Sequence, residues 1–480
     1  MTSIASDLPF LVSAQFAPFL LVALSIIYVM VLKILRMSFL PICAGVGVFL
    51  AASWLISMGD FNKHHAHGLA FNSITRMAFL LLLPAIFGIC LMIGRQNAQP
   101  DKKVASLLMV LISFVGGMVV LTSNNWLMFF VGVQCMSIPI YGLLAFDTDN
   151  KVAVAAAAKY LILSIVAMAF MLFGIMLLYA ASGSMEFSAI RHSHLSTLIL
   201  FGLALVLVGI GFKISIVPFH IWAPDVYQGA SLFVTSYLLV VVKAVMVFFL
   251  AANYFAIVGH QLSSVSLVLS TLAVLSMWIG NGLMLTETNF FRLLGFLSIG
   301  HLGFLIIPLL SDKPSGVEAV FLDLASFGLA ILLTLSTIKW MSPHELGSWK
   351  IDDFRGLMRN RPWCALVLII GLATLAGLPL TAGFIGKYAI LRASVDNGMW
   401  FLSINVVASS VLGIMAIARI MMVMAEQVPV VAVSPRLTWG GRGILTIYAI
   451  ALLWFGIFPE PWINWVKTEA SSYHHSRHLP

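Results

Sequence analysis

The chain has 480 residues, 61% of them hydrophobic and 9% charged, with a mean hydropathy of +1.05. That balance excludes a water-soluble globular domain, whose surface needs far more charge, and implies an all-helical polytopic membrane protein. The net charge of +8 comes with no basic cluster interleaved with aromatics, so the expected surroundings are a lipid bilayer and not nucleic acid.

At about 20 apolar residues per span, fourteen spans are predicted in chain order: 10–32, 39–58, 76–94, 104–122, 126–146, 152–181, 197–222, 231–256, 265–285, 290–310, 317–341, 364–392, 400–424 and 441–462. No soluble domain is left over, because the longest polar interval is Ser342 to Pro362. The first span lacks a basic flank and no small-residue cleavage site follows it, so it is expected to be retained. Cys43, Cys90, Cys135 and Cys364 lie in or beside spans without a Cys-x-x-Cys pair. They are expected to be buried small hydrophobes, with neither disulfide nor metal.

Basic residues set the orientation. Loops after odd-numbered spans hold fourteen: Lys33, Arg36, Arg95, Lys102, Lys103, Lys151, Arg292, Lys339, Lys350, Arg355, Arg359, Arg361, Arg436 and Arg442. The other face holds seven: Lys63, Arg76, Arg191, Lys313, Arg392, Lys467 and Arg477. The positive-inside rule then puts both termini outside the cytoplasm. The polar connection Glu345 to Arg361 falls on the cytoplasmic face, where it could touch neighbouring components.

Lys159, Lys213, Lys243, Lys387 and Arg419 remain within spans. Almost no carboxylate accompanies them, since Asp323 sits one to two turns into its helix and Glu287 at a helix end. Desolvation and mutual repulsion disfavour the charged form of an amine, the condition under which a lysine can take up and release protons near neutrality. Such a row reads as a proton wire, and His220 and His301 can bridge its members through water. Lys159 and Arg419 lie near enough to span ends to snorkel, so a structural role stands beside the functional one for them. Lys213, Lys243 and Lys387 lie too deep for that. His301, followed by Leu-Gly, is either a relay group or a packing residue.

Pro218 has no N–H for the carbonyl of Ile214, so the seventh span is expected to break close to Lys213. Lys387 follows Gly377-Leu-Pro379 and Gly383, a cluster that would interrupt the twelfth span. Interrupted segments five helices apart suggest two inverted repeats, helices 4–8 and 9–13. The expected organisation is one membrane domain: N-terminal helices over 1–100, a first repeat over 101–256, a second over 262–425, and a C-terminal helix and tail over 426–480.

The run Gly211-Phe-Lys-Ile-Ser-Ile-Val-Pro-Phe-His-Ile-Trp-Ala-Pro-Asp-Val-Tyr-Gln-Gly229 resembles the subunit N family of proton-pumping NADH-quinone oxidoreductase (respiratory complex I). Two further runs, Arg292-Leu-Leu-Gly-Phe-Leu-Ser-Ile-Gly-His301 and Ala376-Gly-Leu-Pro-Leu-Thr-Ala-Gly-Phe-Ile-Gly-Lys387, extend the resemblance from about residue 100 to the C-terminus. It implies the same inverted-repeat layout, a central lysine at Lys213, and half-channels joined by lysines along the midplane. One departure stands out. The antiporter-like subunits usually carry a glutamate in a Gly-x-Glu-x-x-Ser-x-Pro setting on the fifth helix; here Gly132, Ser137 and Pro139 frame Gln134. A second acid before Lys-Tyr on the sixth helix is replaced by Ala155.

His64-His65-Ala-His67 and His474-His475-Ser-Arg-His478 lack carboxylate or cysteine company, so no metal site is expected. The twenty-four methionines scatter along the spans as gap fillers. No phosphate-cradling loop or dinucleotide fingerprint appears, so NADH, FMN, iron–sulfur clusters and, on the resemblance, the quinone pocket are expected in partner subunits. The expected function is a membrane-arm subunit in a bacterial inner membrane, conducting protons through Lys213, Lys243, His301 and Lys387 while redox chemistry proceeds in other membrane and peripheral subunits. A cation/proton antiporter, a hydrogenase-type membrane subunit, and a structural arm element that has lost its charge switch at Gln134 are the alternatives.

Overall fold

The computed structural model describes residues 16–58, 64–66, 69–96, 98–146, 150–192, 197–258, 262–341, 349–426 and 439–478. The protein is an antiparallel helical array: α1 (Ala17–Ile34), α2 (Phe39–Ser57), α3 (Ser73–Gly94), α4 (Pro100–Thr122), α5 (Trp126–Leu144), α6 (Lys151–Ser182), α7 (Thr197–Ile214), α8 (Ala223–Gly229), α9 (Leu232–Val258), α10 (Leu262–Met284), α11 (Phe290–Leu309), α12 (Pro314–Met341), α13 (Pro362–Ala376), α14 (Ala382–Asp396), α15 (Trp400–Ala425), α16 (Trp439–Ile457) and α17 (Glu460–His478). A small antiparallel hairpin, β1 (His64–Ala66) and β2 (Leu69–Phe71), lies in the connection that reads as plain loop from the sequence.

Twelve of the described helices are long and apolar enough to cross a membrane, or thirteen if the pair Gly441–Ile457 and Glu460–His475, bent by 79°, counts as one span. The bend falls at Phe458-Pro-Glu-Pro461, where two prolines withhold their N–H groups. The predicted segment 364–392 appears as two shorter helices, α13 and α14. The span predicted over 10–32 is described from Phe16 onwards, and Lys63, His67, Glu345 and Arg436 lie outside the described residues.

Three helices make the centre. Residues of α9, α11 and α12 are buried on nearly all sides, whereas α1, α2, α10 and α15 turn most of their surface outward. Uniform burial explains why these three read as continuous hydrophobic runs with no polar face. They also carry Lys243, Ser298, His301 and Asp323, so these four polar groups are enclosed by protein.

Both expected interruptions are present. Helix α7 stops at Ile214, Ser215 turns into the left-handed region (φ 64°), and residues 215–222 form turns before α8. The freed backbone groups are satisfied internally, as membrane depth demands. Ile216 N–H donates to Gly211 O (3.0 Å), Val217 N–H to Ser276 Oγ (3.0 Å), and Trp222 Nε1 to Phe212 O (3.0 Å). Helix α13 stops at Ala376, and Gly377 (φ 75°) caps it with its N–H on Thr374 O at 3.0 Å. Helix α9 holds a third irregularity the sequence did not announce, a π-helical turn over Tyr237–Val242 that ends immediately before Lys243. Such turns recur at functional sites because they change which way the next side chain points.

Cys43, Cys90 and Cys364 are buried, but Cys135 faces outward, contrary to expectation. It lies on α5 next to Gln134, on a helix that turns less than half of its residues inward.

Candidate functional site

Lys213 is the last lysine before the α7 break and is 1% exposed. Its Nζ donates to Tyr160 Oη (3.3 Å) and Ser164 Oγ (3.2 Å), both on α6. Tyr141 on α5 shares a 2.7 Å hydrogen bond with Ser164, extending the hydroxyl chain. No carboxylate of the described residues pairs with Lys213, and Gln134, half-buried about two helix turns before Tyr141, is not among its hydrogen-bond partners. Two hydroxyls of α6 are the hydrogen-bond partners of Lys213, while Gln134 holds the position that the family pattern gives to an acid.

Lys243, 2% exposed, donates to Ser298 Oγ at 2.6 Å and sits 5.6 Å above the ring of Tyr227. Tyr227 packs against Trp222 (5.8 Å between ring centroids), which packs against Tyr160 (4.8 Å), so an aromatic wall joins the two lysines. Ser298 precedes His301 by three residues on α11, which places both on one helical face. Gly295, one turn earlier, leaves room for α8: a Cβ there would lie 2.8 Å from Pro224 Cα.

His301 Nε2 lies 2.6 Å from Asp323 Oδ2, and its ring stacks on Phe327 at 3.8 Å. Asp323 is only 2% exposed and is the tenth residue of α12, more than two turns in, because that helix begins at Pro314 and not near 317. Gly386 of α14 lies against it, where a Cβ would come within 2.8 Å of Asp323 Oδ1. Lys387, the next residue, donates to Ala376 O at 2.6 Å. That carbonyl is at the C-terminal end of α13, the negative pole of the helix, which favours a cation. Almost no carboxylate is expected beside the lysines, with Asp323 one to two turns into its helix; that acid lies deeper, against His301 and against Gly386, the residue before Lys387.

Lys159, half-buried, is paired with acid. It forms an ion pair with Asp225, which also pairs with Arg292, and Arg292 reaches Glu287 at 3.2 Å. Burial alone would raise the Asp225 carboxyl, but hydrogen bonds and charge from Lys159 and Arg292 hold it below the ordinary carboxylate range. Arg419 donates to the backbone carbonyls of Leu285 and Glu287 and is accounted for by capping α10. His220 lies half-buried in the break between α7 and α8, apart from the contacts that join the other groups. The residues missed from the sequence are Tyr160, Ser164 and Ser298; the i, i+3 spacing of Ser298 and His301 was the one available signal.

Residues 123–413 match the family model for the transmembrane region of NADH:quinone oxidoreductase and Mrp antiporters. NADH-quinone oxidoreductase subunit N of Acinetobacter baumannii is 31% identical over 469 residues, covering 93% of this chain and 94% of that one. The chain belongs to the NADH-quinone oxidoreductase subunit N family. Subunit N of Ectopseudomonas mendocina is 35% identical over 392 residues, 79% of each chain. The fold is shared more widely: a chain of respiratory complex I from Thermus thermophilus superposes with a TM-score of 0.80 at 24% identity (93% of this chain, 98% of that one), and one of the Mrp complex from a Dietzia species with 0.83 at 18% (96% and 98%). The subunit N family places the chain in the membrane arm of a multi-subunit oxidoreductase alongside other antiporter-like subunits.

Proposed function

We propose that this subunit carries protons along an axis running Lys213, Lys243, Ser298, His301, Asp323 and Lys387, driven by redox chemistry in partner subunits. The observation that carries the reading is the sequence of contacts just described, which converges on the three most buried helices. A desolvated ammonium is expensive at membrane depth, so a lysine that alternates between ammonium and neutral amine, with hydroxyls beside it to accept or relay a hydrogen bond, is suited to hand a proton on. Lys213 and Ser164 would receive it, Lys243 and Ser298 would hold it at the centre, and the His301–Asp323 pair would pass it to Lys387. Water would complete the steps between them. The interrupted helices α7–α8 and α13–α14 would open the two ends of the path.

The same reading puts residues 101–256 and 262–425 as inverted repeats within fourteen spans, both termini outside the cytoplasm of a bacterial cell, and NADH, FMN, iron–sulfur clusters and quinone in partner subunits. A cation/proton antiporter is less favoured, because sodium needs several oxygen ligands and the axis offers one carboxylate. Lys243→Ala tests the proposal in the intact complex. NADH oxidation should persist at low proton gradient while proton translocation falls; unchanged translocation per NADH would refute an axis through Lys243.

A further inference from the structure

Between the α7 break and Lys243, buried hydroxyls meet whose hydrogen bonds are not closed. Ser215 stands in the break, fully buried, two residues after Lys213 and with its backbone in the left-handed region. Tyr227 of α8, fully buried as well, has the Ser215 and Ser298 hydroxyls as neighbours of its own. Neither Tyr227 Oη nor Ser215 Oγ makes a hydrogen bond of settled geometry among the described residues, although buried hydroxyls are as a rule paired. Ser298 directs its proton at Gly295 O (2.7 Å) and accepts from Lys243 at 2.6 Å, which leaves it a lone pair toward Tyr227. A phenol carries one proton, so Tyr227 can donate to Ser215 or to Ser298 but not to both. Its ring is fixed. Gly295 closes on one side, where a Cβ would come within 3.2 Å of Tyr227 Cδ2, and Lys243, the charged side chain facing it, lies over the ring. Across Trp222 stands Tyr160, whose hydroxyl accepts from Lys213.

We propose that the Tyr227 hydroxyl relays protons between the α7 break and Lys243, a role that deepens the axis proposed above and rests on it. In one step, Tyr227 Oη takes a proton from the Ser215 side as its own O–H bond breaks toward Ser298. Ser298 swings its proton from Gly295 O to the neutral amine of Lys243, which becomes the ammonium. Each hydroxyl ends with one proton, as it began, and Lys243 has gained the one that entered. Turning the Tyr227 O–H back toward Ser215 resets the link, and the fixed ring lets the hydroxyl turn without any other motion.

The test is the number of protons translocated per NADH oxidised by the intact complex in sealed vesicles, for wild type, Tyr227→Phe, Ser215→Ala, the double variant and Lys243→Ala. Phenylalanine keeps the ring beneath Lys243, and alanine takes the same backbone as Ser215, so each single variant removes one hydroxyl. Both are expected to lower the ratio as far as Lys243→Ala does, and the double variant no further, because one path is cut twice. Tyr227→4-aminophenylalanine, introduced by nonsense suppression, carries a transferable proton and should restore the ratio. Tyr227→4-methylphenylalanine matches the shape without that proton and should not. A wild-type ratio in Tyr227→Phe beside a lowered one in Lys243→Ala would overturn the relay and leave the axis standing, whereas a wild-type ratio in Lys243→Ala would remove the axis itself. Restoration by the methyl isostere, or a double variant worse than either single one, would make Tyr227 a packing group and also overturn the relay.

Discussion

Asp323 changes the chemistry of the axis most at the level of single side chains. Asp323 Oδ2 lies 2.6 Å from His301 Nε2 and sets a carboxylate against the imidazole, where the lysines alone would offer only amines. Asp323→Asn keeps the shape and removes the charge, and should lower NADH-driven proton translocation in vesicles at least as far as His301→Ala does, with the complex still assembled on a native gel. Ser298→Ala should act more mildly, because Lys243 loses its 2.6 Å acceptor but keeps its place above the Tyr227 ring. At the other end of the path, Asp225 holds Lys159 and Arg292 together. Its folded-state pKa lies below the unfolded value of about 3.9. The pairing is therefore stabilising above that pH and is lost as pH falls through the folded value. Asp225→Asn should lower the melting temperature of the complex at pH 7, and the gap from wild type should close as the pH is taken below about 3.9.

At the level of elements, the interruptions depend on a few backbone positions. Gly377 adopts φ 75°, and a Cβ there would lie 2.6 Å from Lys387 Cδ. Gly377→Ala should cost about 1–2 kcal/mol from the left-handed conformation alone, and should also push Lys387 off the Ala376 carbonyl. Thermal unfolding of the complex together with its proton-to-electron ratio reads both effects. The sequence made these breaks legible because proline and glycine act on the backbone locally: Pro218 and the Gly377–Gly383 cluster pointed to the right segments. The π turn before Lys243 left no such mark, since Tyr237-Leu-Leu-Val-Val-Val242 reads as any buried helix, and its register is set by packing. The same limit explains the acid. Asp323 was visible as a residue in a span, but which helix faces it is a matter of tertiary arrangement, and only packing of α12 between α11 and α14 sets it against His301 on one helix and Gly386, the residue before Lys387, on the other. Cys135 shows the limit from the other direction, because hydropathy alone does not tell an inward face from an outward one in lipid.

For the whole molecule, hydropathy fixed the class, since surplus apolar surface has only the bilayer to face. The topology proposed from the lysine and arginine asymmetry puts Lys102 on the cytoplasmic face, so a cysteine placed there should react with a membrane-impermeant maleimide only in inside-out vesicles; reaction in right-side-out vesicles would invert the topology. The wider question is whether a chain with Gln134 in the acidic position still moves protons. The hydroxyls of Tyr160 and Ser164 on Lys213 supply hydrogen-bond partners without an ion pair, so the proposed axis does not call on an acid at that point. The most direct test is the number of protons translocated per NADH oxidised by the purified complex in sealed vesicles, comparing wild type, Lys213→Ala and Gln134→Glu. A fall in the ratio for Lys213→Ala, with wild type already above it, is the predicted result. A ratio unmoved by Lys213→Ala that rises only with Gln134→Glu would contradict the account and make this subunit a spacer in the arm.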